Sequence, residues 1–318
     1  MATEILIVGD FFPTVAKSLS EDFTVHQLAT ISDFHALDDE FLKQISGFAS
    51  FGWAPAETID RMPNLKMISS FGVGYDGVAA EYAAQKGIVV GHTPDVLNDE
   101  VANTAIALML ATDRRIVAYD KYVRAGRWLT EGHAPLTRGI SGKTVGILGL
   151  GRIGEAIAEK LSVFGCTVVY HSRSQKTHVS YKYFADLEDM ARASDLLVVI
   201  TPGGPETDKL VSKDVIEALG PTGTLINVAR GTVVDEAAMV EALKDGRLGA
   251  AGLDVFEDEP KVPEALFELD NVVLLPHVGS ATIETRQAMA DRVVDNMRGF
   301  FKDGKPVSPV PESAALLD

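Results

Sequence analysis

The fold of this chain is decided by the stretch Val145-Gly146-Ile147-Leu148-Gly149-Leu150-Gly151-Arg152-Ile153-Gly154. A short apolar run ends in the pattern G-x-G-x-x-G, and a segment with helical periodicity, residues 155–161, follows directly. In such a unit Gly149 permits the tight turn, Gly151 lets the backbone approach a pyrophosphate, and Gly154 lets the helix pack closely on the strand. The amides at the start of the helix then supply donors to the phosphates. The stretch therefore predicts a strand–turn–helix unit that binds a dinucleotide, and a tight turn without a ligand is the alternative.

The next expected strand ends in Ser172-Arg173-Ser174, where such units usually carry Asp or Glu to bind the adenosine ribose. A carboxylate would repel a 2′-phosphate, whereas a hydroxyl donates to its oxygens and a guanidinium offers them a planar fork. We therefore expect Ser172 and Arg173 to favour NADPH over NADH. The alternative is a solvated arginine at a strand end.

Short apolar runs alternate with helix-compatible segments along both halves of the chain. This rhythm predicts an α/β protein with two Rossmann-like domains, each a doubly wound parallel sheet covered by helices on both faces. In the first half, strands are expected at residues 5–8, 23–28, 45–50, 65–71 and 88–90. In the second half, six strands are expected, at residues 144–148, 167–171, 195–200, 224–228, 250–254 and 272–275.

Two longer helical patterns accompany these strands. One runs from Asn98, a plausible N-cap followed by two acids, to about Ala125. The segment 127–142 after it includes Trp128 and has no clear periodicity, which predicts an arm or linker that lies on a partner. The last pattern, at about residues 282–301, has an apolar face that we expect to pack on the first domain.

Composition excludes several classes of protein. A length of 318 residues favours two domains. The balance of 29 basic against 45 acidic residues, a formal charge of −16, argues against binding to nucleic acid or an anionic membrane. No apolar run is long enough to span a membrane. The lone Cys166 and the absence of a basic stretch before the first apolar run predict a cytoplasmic protein. The seven histidines lack the spacing of a metal site, so none is expected.

Three further expected strands each end next to one chemically useful side chain: Arg230, Glu259 and His277. Ligands bind at these strand ends in doubly wound sheets. Hydride delivery to a 2-oxo acid needs a proton donor at the developing alkoxide and a cation for the carboxylate. His277 can donate the proton, Arg230 can hold the carboxylate, and Glu259 can orient the imidazole and favour its charged form. Taken singly, a loop histidine, a cation at a helix start and a surface acid are the alternatives.

Over nearly its full length the sequence resembles the D-2-hydroxyacid dehydrogenase family, most closely its branch of NADPH-dependent glyoxylate/hydroxypyruvate reductases and hydroxyphenylpyruvate reductases. The matching stretches are Ser70-Phe-Gly-Val-Gly-Tyr-Asp76, Thr93-Pro-Asp-Val-Leu97, Gly149 to Gly154, Ser172-Arg173-Ser174, Asn227 to Gly231, Gly252 to Pro260 and Leu274 to Ser280. One departure is the loop 201–207, Thr-Pro-Gly-Gly-Pro-Glu-Thr, where many relatives carry Leu-Thr in place of the two glycines.

The resemblance implies a catalytic set of Arg230, Glu259 and His277, with the backbone amides of Val73 and Gly74 receiving the substrate carboxylate. It also implies a set of cofactor contacts, at Gly149, Gly151, Arg152, Ile153, Gly154, Ser172, Arg173, Ser174, Thr201 and Asp254. A flavodoxin-like substrate domain, residues 1–97 and 287–318, would enclose an inserted NADP(H)-binding domain, residues 98–286. Family members are typically homodimers joined through the cofactor domains, which would give the helix from Asn98 and the arm at 127–142 their partner. Trp128 could equally be a buried anchor within one subunit.

The expected activity is NADPH-dependent reduction of small 2-oxo acids, glyoxylate and hydroxypyruvate, to D-2-hydroxy acids. Reduction of an aromatic 2-oxo acid such as hydroxyphenylpyruvate is the alternative, since Phe12, Phe51 and Trp53 are candidates to line the pocket and could narrow it or stack with a ring. A nucleotide-sensing binding protein resembling the family's corepressors is an alternative of another class. The acidic charge and the short segment 306–318 argue against it.

Overall fold

The computed structural model describes residues 3–9 and 12–317. The chain divides into two compact units, Met1–Leu97 with Thr282–Asp318, and Asn98–Ala281. The expected domain boundaries were 97/98 and 286/287, and these units meet at 97/98 and 281/282. The Thr282 side chain accepts a hydrogen bond from the Thr285 amide and caps the helix that follows.

The first unit contains the strands predicted for the first half of the chain and two short extra ones. The strands are β1 (Glu4–Val8), β2 (Thr24–Leu28), β3 (Ile45–Ser50), β4 (Trp53–Ala54), β5 (Met67–Ser70), β6 (Gly77–Val78) and β7 (Val89–Gly91). The main sheet is parallel with the order β2-β1-β3-β5-β7, and β4 pairs with β6. Without the short pair, the order along the chain is 2-1-3-4-5, which confirms the predicted flavodoxin-like topology.

Among the residues described, six α-helices and a C-terminal 3₁₀ helix accompany the strands of the first unit. They are α1 (Thr14–Leu19), α2 (Ile31–His35), α3 (Asp39–Leu42), α4 (Ala56–Asp60), α5 (Ala80–Gln85), α13 (Ile283–Asp303) and the 3₁₀ helix Pro311–Leu316. Met289, Val293 and Met297 on α13 are buried, and α13 packs on α1 and β5. The apolar face predicted for the last helix therefore packs within the first unit, as expected. No helix in the described part of the chain is long and apolar enough to cross a bilayer.

The second unit contains a seven-stranded parallel sheet with the order β10-β9-β8-β11-β12-β13-β14. Its strands are β8 (Thr144–Leu148), β9 (Thr167–His171), β10 (Lys182–Tyr183), β11 (Leu196–Val199), β12 (Thr224–Asn227), β13 (Ala250–Leu253) and β14 (Val272–Leu274). In chain order this is 3-2-1-4-5-6-7, the dinucleotide-binding order with one strand added. The six predicted strands are all present. The missed strand, β10, has only two residues and so shows no periodicity.

The helices of the second unit include one that the sequence predicted wrongly. They are α6 (Asn98–Asp113), α7 (Ile116–Arg124), α8 (Arg127–Glu131), α9 (Arg152–Val163), α10 (Leu187–Arg192), α11 (Lys213–Leu219), α12 (Glu236–Asp245) and the 3₁₀ turns Gly231–Val233 and Glu264–Leu266. The single helix expected from Asn98 to about Ala125 is two helices, and Arg115 between them has a left-handed φ of 50°.

The break follows from a buried anchor at the end of α6. The Asp113 carboxylate is buried and accepts hydrogen bonds from Lys143 Nζ at 2.7 Å and Thr224 Oγ1 at 2.6 Å. These partners lie 30 and 111 residues further along the chain. They hold α6 against the sheet while the chain turns away, which a local helical pattern cannot reveal.

Candidate active site

The glycine turn lies at the carboxyl end of β8, where the strand order reverses between β8 and β11. Gly149 has a φ of +100°, and a Cβ there would lie 2.8 Å from the Ile200 carbonyl oxygen. A Cβ on Gly154 would collide with the Gly149 carbonyl, whereas one on Gly151 would meet nothing within 4 Å. The turn conformation therefore requires glycine at Gly149, and close packing requires it at Gly154. Beside Gly151 there is open space.

The start of α9 can hold an anion. Gly151 is its N-cap and provides no side-chain hydrogen bond to the first turn. The amides at the beginning of an α-helix have no intrahelical acceptor, and the helix dipole makes this end positive. Arg152 and Ile153 are the first two helical residues, so the part of the motif expected to meet the pyrophosphate has the required donors.

The basic strand end follows β9 at the same edge of the sheet. Ser172 Oγ donates to the Ser174 carbonyl at 2.8 Å, and Tyr183 donates to the Ser172 carbonyl at 3.3 Å. The Arg173 side chain is 94% exposed, and its Nη1 lies 3.8 Å from Glu206 Oε2. Thr201, which follows β11, is half-buried, and its amide lies against Gly149. The structure thus adds Glu206, from the loop that departs from the family pattern, as a neighbour of Arg173.

Arg230 is positioned by a turn that the buried Asn227 holds at the end of β12. The Asn227 side chain donates to the Arg230 carbonyl at 3.0 Å and accepts from the Ala229 amide at 3.0 Å. A Cβ on Gly231 would overlap the Phe256 backbone, so this turn packs directly on the loop that follows β13. The half-buried guanidinium is thereby brought close enough to Glu259 to lower the pKa of that carboxyl.

Glu259 and His277 form a hydrogen-bonded pair, with Nδ1 of the imidazole 2.7 Å from Oε2 of the carboxylate. The other oxygen, Oε1, accepts from the Phe256 amide at 3.1 Å, so both carboxylate oxygens are held. Burial alone would raise the pKa of Glu259, but the hydrogen bond and charge of His277, the Phe256 amide and the charge of Arg230 together lower it. Glu259 is therefore a carboxylate at neutral pH and suited to orienting the imidazole.

Asp254 fixes the loop that carries His277. Its side chain is 2% exposed and accepts hydrogen bonds from the amides of Val278 at 2.7 Å and Gly279 at 2.8 Å. Its carbonyl accepts from the His277 amide at 2.8 Å, and His277 has a left-handed φ of 53°. Burial raises the pKa of Asp254 against the opposing effect of the two amides and the charge of His277. The sequence suggested Asp254 as a cofactor contact and gave no sign of this anchoring role, which depends on backbone amides 24 and 25 residues away.

The site can exchange a proton with a bound substrate. When Nδ1–H of His277 donates a hydrogen bond to Glu259, the other ring nitrogen, Nε2, can carry the proton that is exchanged with a substrate. Arg230 adds a permanent positive charge at the neighbouring strand end. The structure therefore brings together the three side chains that the sequence proposed as the catalytic set.

Val73 and Gly74 lie in the first unit, in the loop after β5, and both are half-buried. The carbonyl of Val73 bonds to His92 Nδ1 at 3.0 Å. Within the described residues, the amides of Val73 and Gly74 donate no hydrogen bond. Two adjacent backbone donors are therefore left for an anion.

The aromatic residues proposed for the substrate pocket separate into different environments. Trp53 is half-buried: it packs edge-on against Phe34 and His35, contacts Phe48, and lies against the core of the first unit. Phe51 is 49% exposed and lies 5.2 Å from Phe71 between ring centroids. Phe12 is half-buried. Phe51 is the exposed member of the three.

The fold and site define an NAD(P)-dependent 2-hydroxyacid dehydrogenase. The profile of the D-isomer specific 2-hydroxyacid dehydrogenase, NAD binding domain, matches residues 106–279. The chain belongs to this family, and the expectation of an oxidoreductase with a Rossmann-type NAD(P)-binding domain is confirmed.

Its relatives are reductases of 2-oxo acids. The hydroxyphenylpyruvate reductase of Plectranthus scutellarioides is 53% identical over 275 residues, which cover 86% of this chain and 87% of that protein. The glyoxylate/hydroxypyruvate reductase A of Arabidopsis thaliana is 50% identical over 269 residues, which cover 85% of each. The structure of the NADPH-dependent glyoxylate/hydroxypyruvate reductase of Sinorhizobium meliloti, in complex with NADP and malonate, is 46% identical with a TM-score of 0.94 and covers 98% of each chain.

Proposed function

We propose that this enzyme uses NADPH to reduce small 2-oxo acids, such as glyoxylate and hydroxypyruvate, to the corresponding 2-hydroxy acids, with the D configuration where the product is chiral. The observation that carries the proposal is the His277–Glu259 pair, 2.7 Å apart, beside Arg230 at the strand edge that also bears the glycine turn. The names of the Arabidopsis and Sinorhizobium relatives support the substrate class.

In the proposed reaction, bound NADPH supplies a hydride for the carbonyl carbon. Arg230 holds the substrate carboxylate and polarises the carbonyl. In the first unit, the amides of Val73 and Gly74 are the proposed donors to a substrate carboxylate. Nε2 of His277 donates a proton to the carbonyl oxygen as negative charge develops on it, so that the carbonyl group takes up one hydride and one proton and becomes an alcohol. Glu259 holds the imidazole in place through Nδ1, and Asp254 holds the loop on which the imidazole is carried.

The preference for NADPH is assigned to Ser172 and Arg173. The exposed guanidinium of Arg173 and the Ser172 hydroxyl stand where a ribose-binding carboxylate is usual, and they suit a 2′-phosphate. Ser174, Thr201, Asp254 and the glycine turn complete the proposed cofactor contacts.

Reduction of hydroxyphenylpyruvate is a second candidate function. The relative from Plectranthus scutellarioides that is 53% identical carries that name. In the structure, Phe51 exposes an aromatic ring at the carboxyl end of β3, where ligands bind in doubly wound sheets.

Initial rates of cofactor oxidation distinguish these activities. NADPH and NADH are each paired with glyoxylate, hydroxypyruvate and hydroxyphenylpyruvate at fixed enzyme concentration. We expect turnover on the order of 1 s⁻¹ or faster with NADPH and the two small acids. A higher kcat/KM for hydroxyphenylpyruvate would favour the second candidate, and preference for NADH would contradict the role of Arg173.

We also propose a cytoplasmic homodimer joined through α7, α8 and the segment 132–142. The apolar side chains there are unusually exposed: Ile116 53%, Val123 53%, Trp128 57%, Leu129 92% and Leu136 100%. The alternative of Trp128 as a buried anchor within one subunit is wrong, since more than half of this side chain is exposed. Exposed apolar patches of this kind commonly mark protein interfaces. The cytoplasmic location rests on the lone Cys166, which excludes a disulfide within one chain.

A further inference from the structure

The segment after α13 closes one edge of the first-unit sheet. The Val310 amide donates to the Val90 carbonyl at 2.9 Å, and the His92 amide donates to the Ser308 carbonyl at 3.0 Å. The Val90 amide donates to Ser313 Oγ at 2.9 Å. The C-terminal segment is therefore bonded to β7, and the 3₁₀ helix Pro311–Leu316 is held beside the sheet.

This anchoring places Glu312 against Tyr75, which directly follows Val73 and Gly74 in the loop after β5. The Tyr75 hydroxyl lies 3.2 Å from Glu312 Oε2 and 3.4 Å from Oε1. Burial, together with the charge and hydrogen bond of Glu312, raises the pKa of Tyr75 to about 12. The phenol is thus a hydrogen-bond donor to the carboxylate at every pH at which the enzyme would work.

The loop between β5 and β6 is held mainly through its carbonyl groups. The Gly72 carbonyl accepts from the Thr93 amide at 2.9 Å, and the Tyr75 carbonyl accepts from the Val78 amide at 2.8 Å. His92 bonds to the Val73 carbonyl at 3.0 Å and packs edge-on against the Tyr75 ring, with centroids 5.3 Å apart. The carbonyls of Gly72 and Val73 share planar peptide groups with the amides of Val73 and Gly74. Contacts that hold these carbonyls therefore also set the direction in which the two amides point.

We propose that Glu312, acting through Tyr75, is a positioning residue that holds the amides of Val73 and Gly74 in the orientation that binds the substrate carboxylate. This inference rests on the proposed function of these amides. The C-terminal segment then contributes to affinity for the 2-oxo acid without touching it. Its removal should weaken substrate binding and leave the cofactor site, which is built from the second unit, unaffected.

The test compares steady-state kinetics of Tyr75→Phe and Glu312→Ala with the wild-type enzyme. Each variant removes a hydrogen bond to a charged group, so we expect the KM for glyoxylate or hydroxypyruvate to rise about tenfold. The KM for NADPH and kcat should change less than about twofold. Glu312→Gln keeps an acceptor for the phenol and should restore most of the affinity. The double variant should resemble either single variant, because both remove the same contact.

A control variant separates positioning from general stability. Tyr82→Phe removes another phenol–carboxylate bond of the same unit, 2.7 Å to Asp60, and should leave every KM unchanged. The inference would be overturned if the KM for the 2-oxo acid were unchanged in Tyr75→Phe. It would also be overturned if the KM for the 2-oxo acid and the KM for NADPH rose by the same factor. A wild-type enzyme that turns over no 2-oxo acid would instead refute the proposed function.

Discussion

The proposed basis for cofactor choice is a few exposed atoms around Arg173. In Arg173→Ala, a charge-assisted contact to the 2′-phosphate is lost, so the KM for NADPH should rise about tenfold or more while that for NADH stays unchanged. Glu206→Gln should act in the opposite sense and lower the KM for NADPH by a few fold at most, because an exposed carboxylate 3.8 Å from the guanidinium competes with the phosphate. Arg192→Ala, at an exposed arginine of α10, serves as the control. Equal effects of Arg173→Ala on both cofactors would contradict the assignment.

Glu259 gives stability a defined dependence on pH. Its pKa in the folded enzyme is lower than usual: burial raises it, but His277, the Phe256 amide and Arg230 lower it more. A carboxyl of this kind contributes stability that is present above its unfolded pKa of about 4.3 and is lost as the pH falls through the lower folded value. Glu259→Gln should therefore have a lower Tm than the wild type at neutral pH, and the difference should shrink at acidic pH. Thermal unfolding between about pH 3.5 and 7 measures this, and a constant difference would count against the pairing.

At this scale the sequence suggested candidate catalytic side chains but not the residues that hold them. Arg230, Glu259 and His277 could be proposed because each follows a predicted strand and belongs to a chemically complete set. The buried Asp254 and Asn227 anchor the neighbouring loops through backbone amides and carbonyls. Those bonds depend on the path of each loop, which residue types alone do not determine.

At the scale of elements, the loops after β12 and β13, which carry Arg230 and Glu259, are in direct backbone contact. A methyl group at Gly231 would overlap the Phe256 backbone, so Gly231→Ala should separate Arg230 from Glu259. We expect kcat/KM to fall about a hundredfold, as misplacement by 1 Å can cause, together with a loss of about 1–3 kcal/mol in stability. Gly139→Ala, where a Cβ would meet nothing within 4 Å, is the matched control. Wild-type activity in Gly231→Ala would contradict this view of the site.

Whole strands were easier to predict than the boundaries of helices. The buried strands β8 and β9 lie at the residues expected, because a short apolar run bounded by turns has few alternatives in a parallel sheet. The division between α6 and α7 could not be seen, since it is imposed by the contacts of Asp113 with Lys143 and Thr224. Local periodicity therefore predicted the sheets well and missed a break that depends on residues distant in sequence.

At the scale of the whole molecule, the exposed apolar side chains of the segment 116–136 predict a dimer. Leu129 is 92% exposed, so Leu129→Asp should not disturb the fold of the subunit but should place a charge in the proposed interface. Analytical ultracentrifugation at micromolar concentration should give twice the chain mass of 34.1 kDa for the wild type and a lower mass for the variant. Val163→Asp, at an 85% exposed site outside this segment, should remain dimeric. A monomeric wild-type protein would refute the dimer.

The central claim is that His277 supplies the proton for an NADPH-dependent reduction of a 2-oxo acid. The most direct measurement is the rate of NADPH oxidation with glyoxylate for the wild type and for His277→Gln, together with the Kd for NADPH of each. Loss of a general acid should lower kcat by about 10²–10⁴-fold, while NADPH binding should stay unchanged. Turnover by His277→Gln at a rate near that of the wild type would contradict the account.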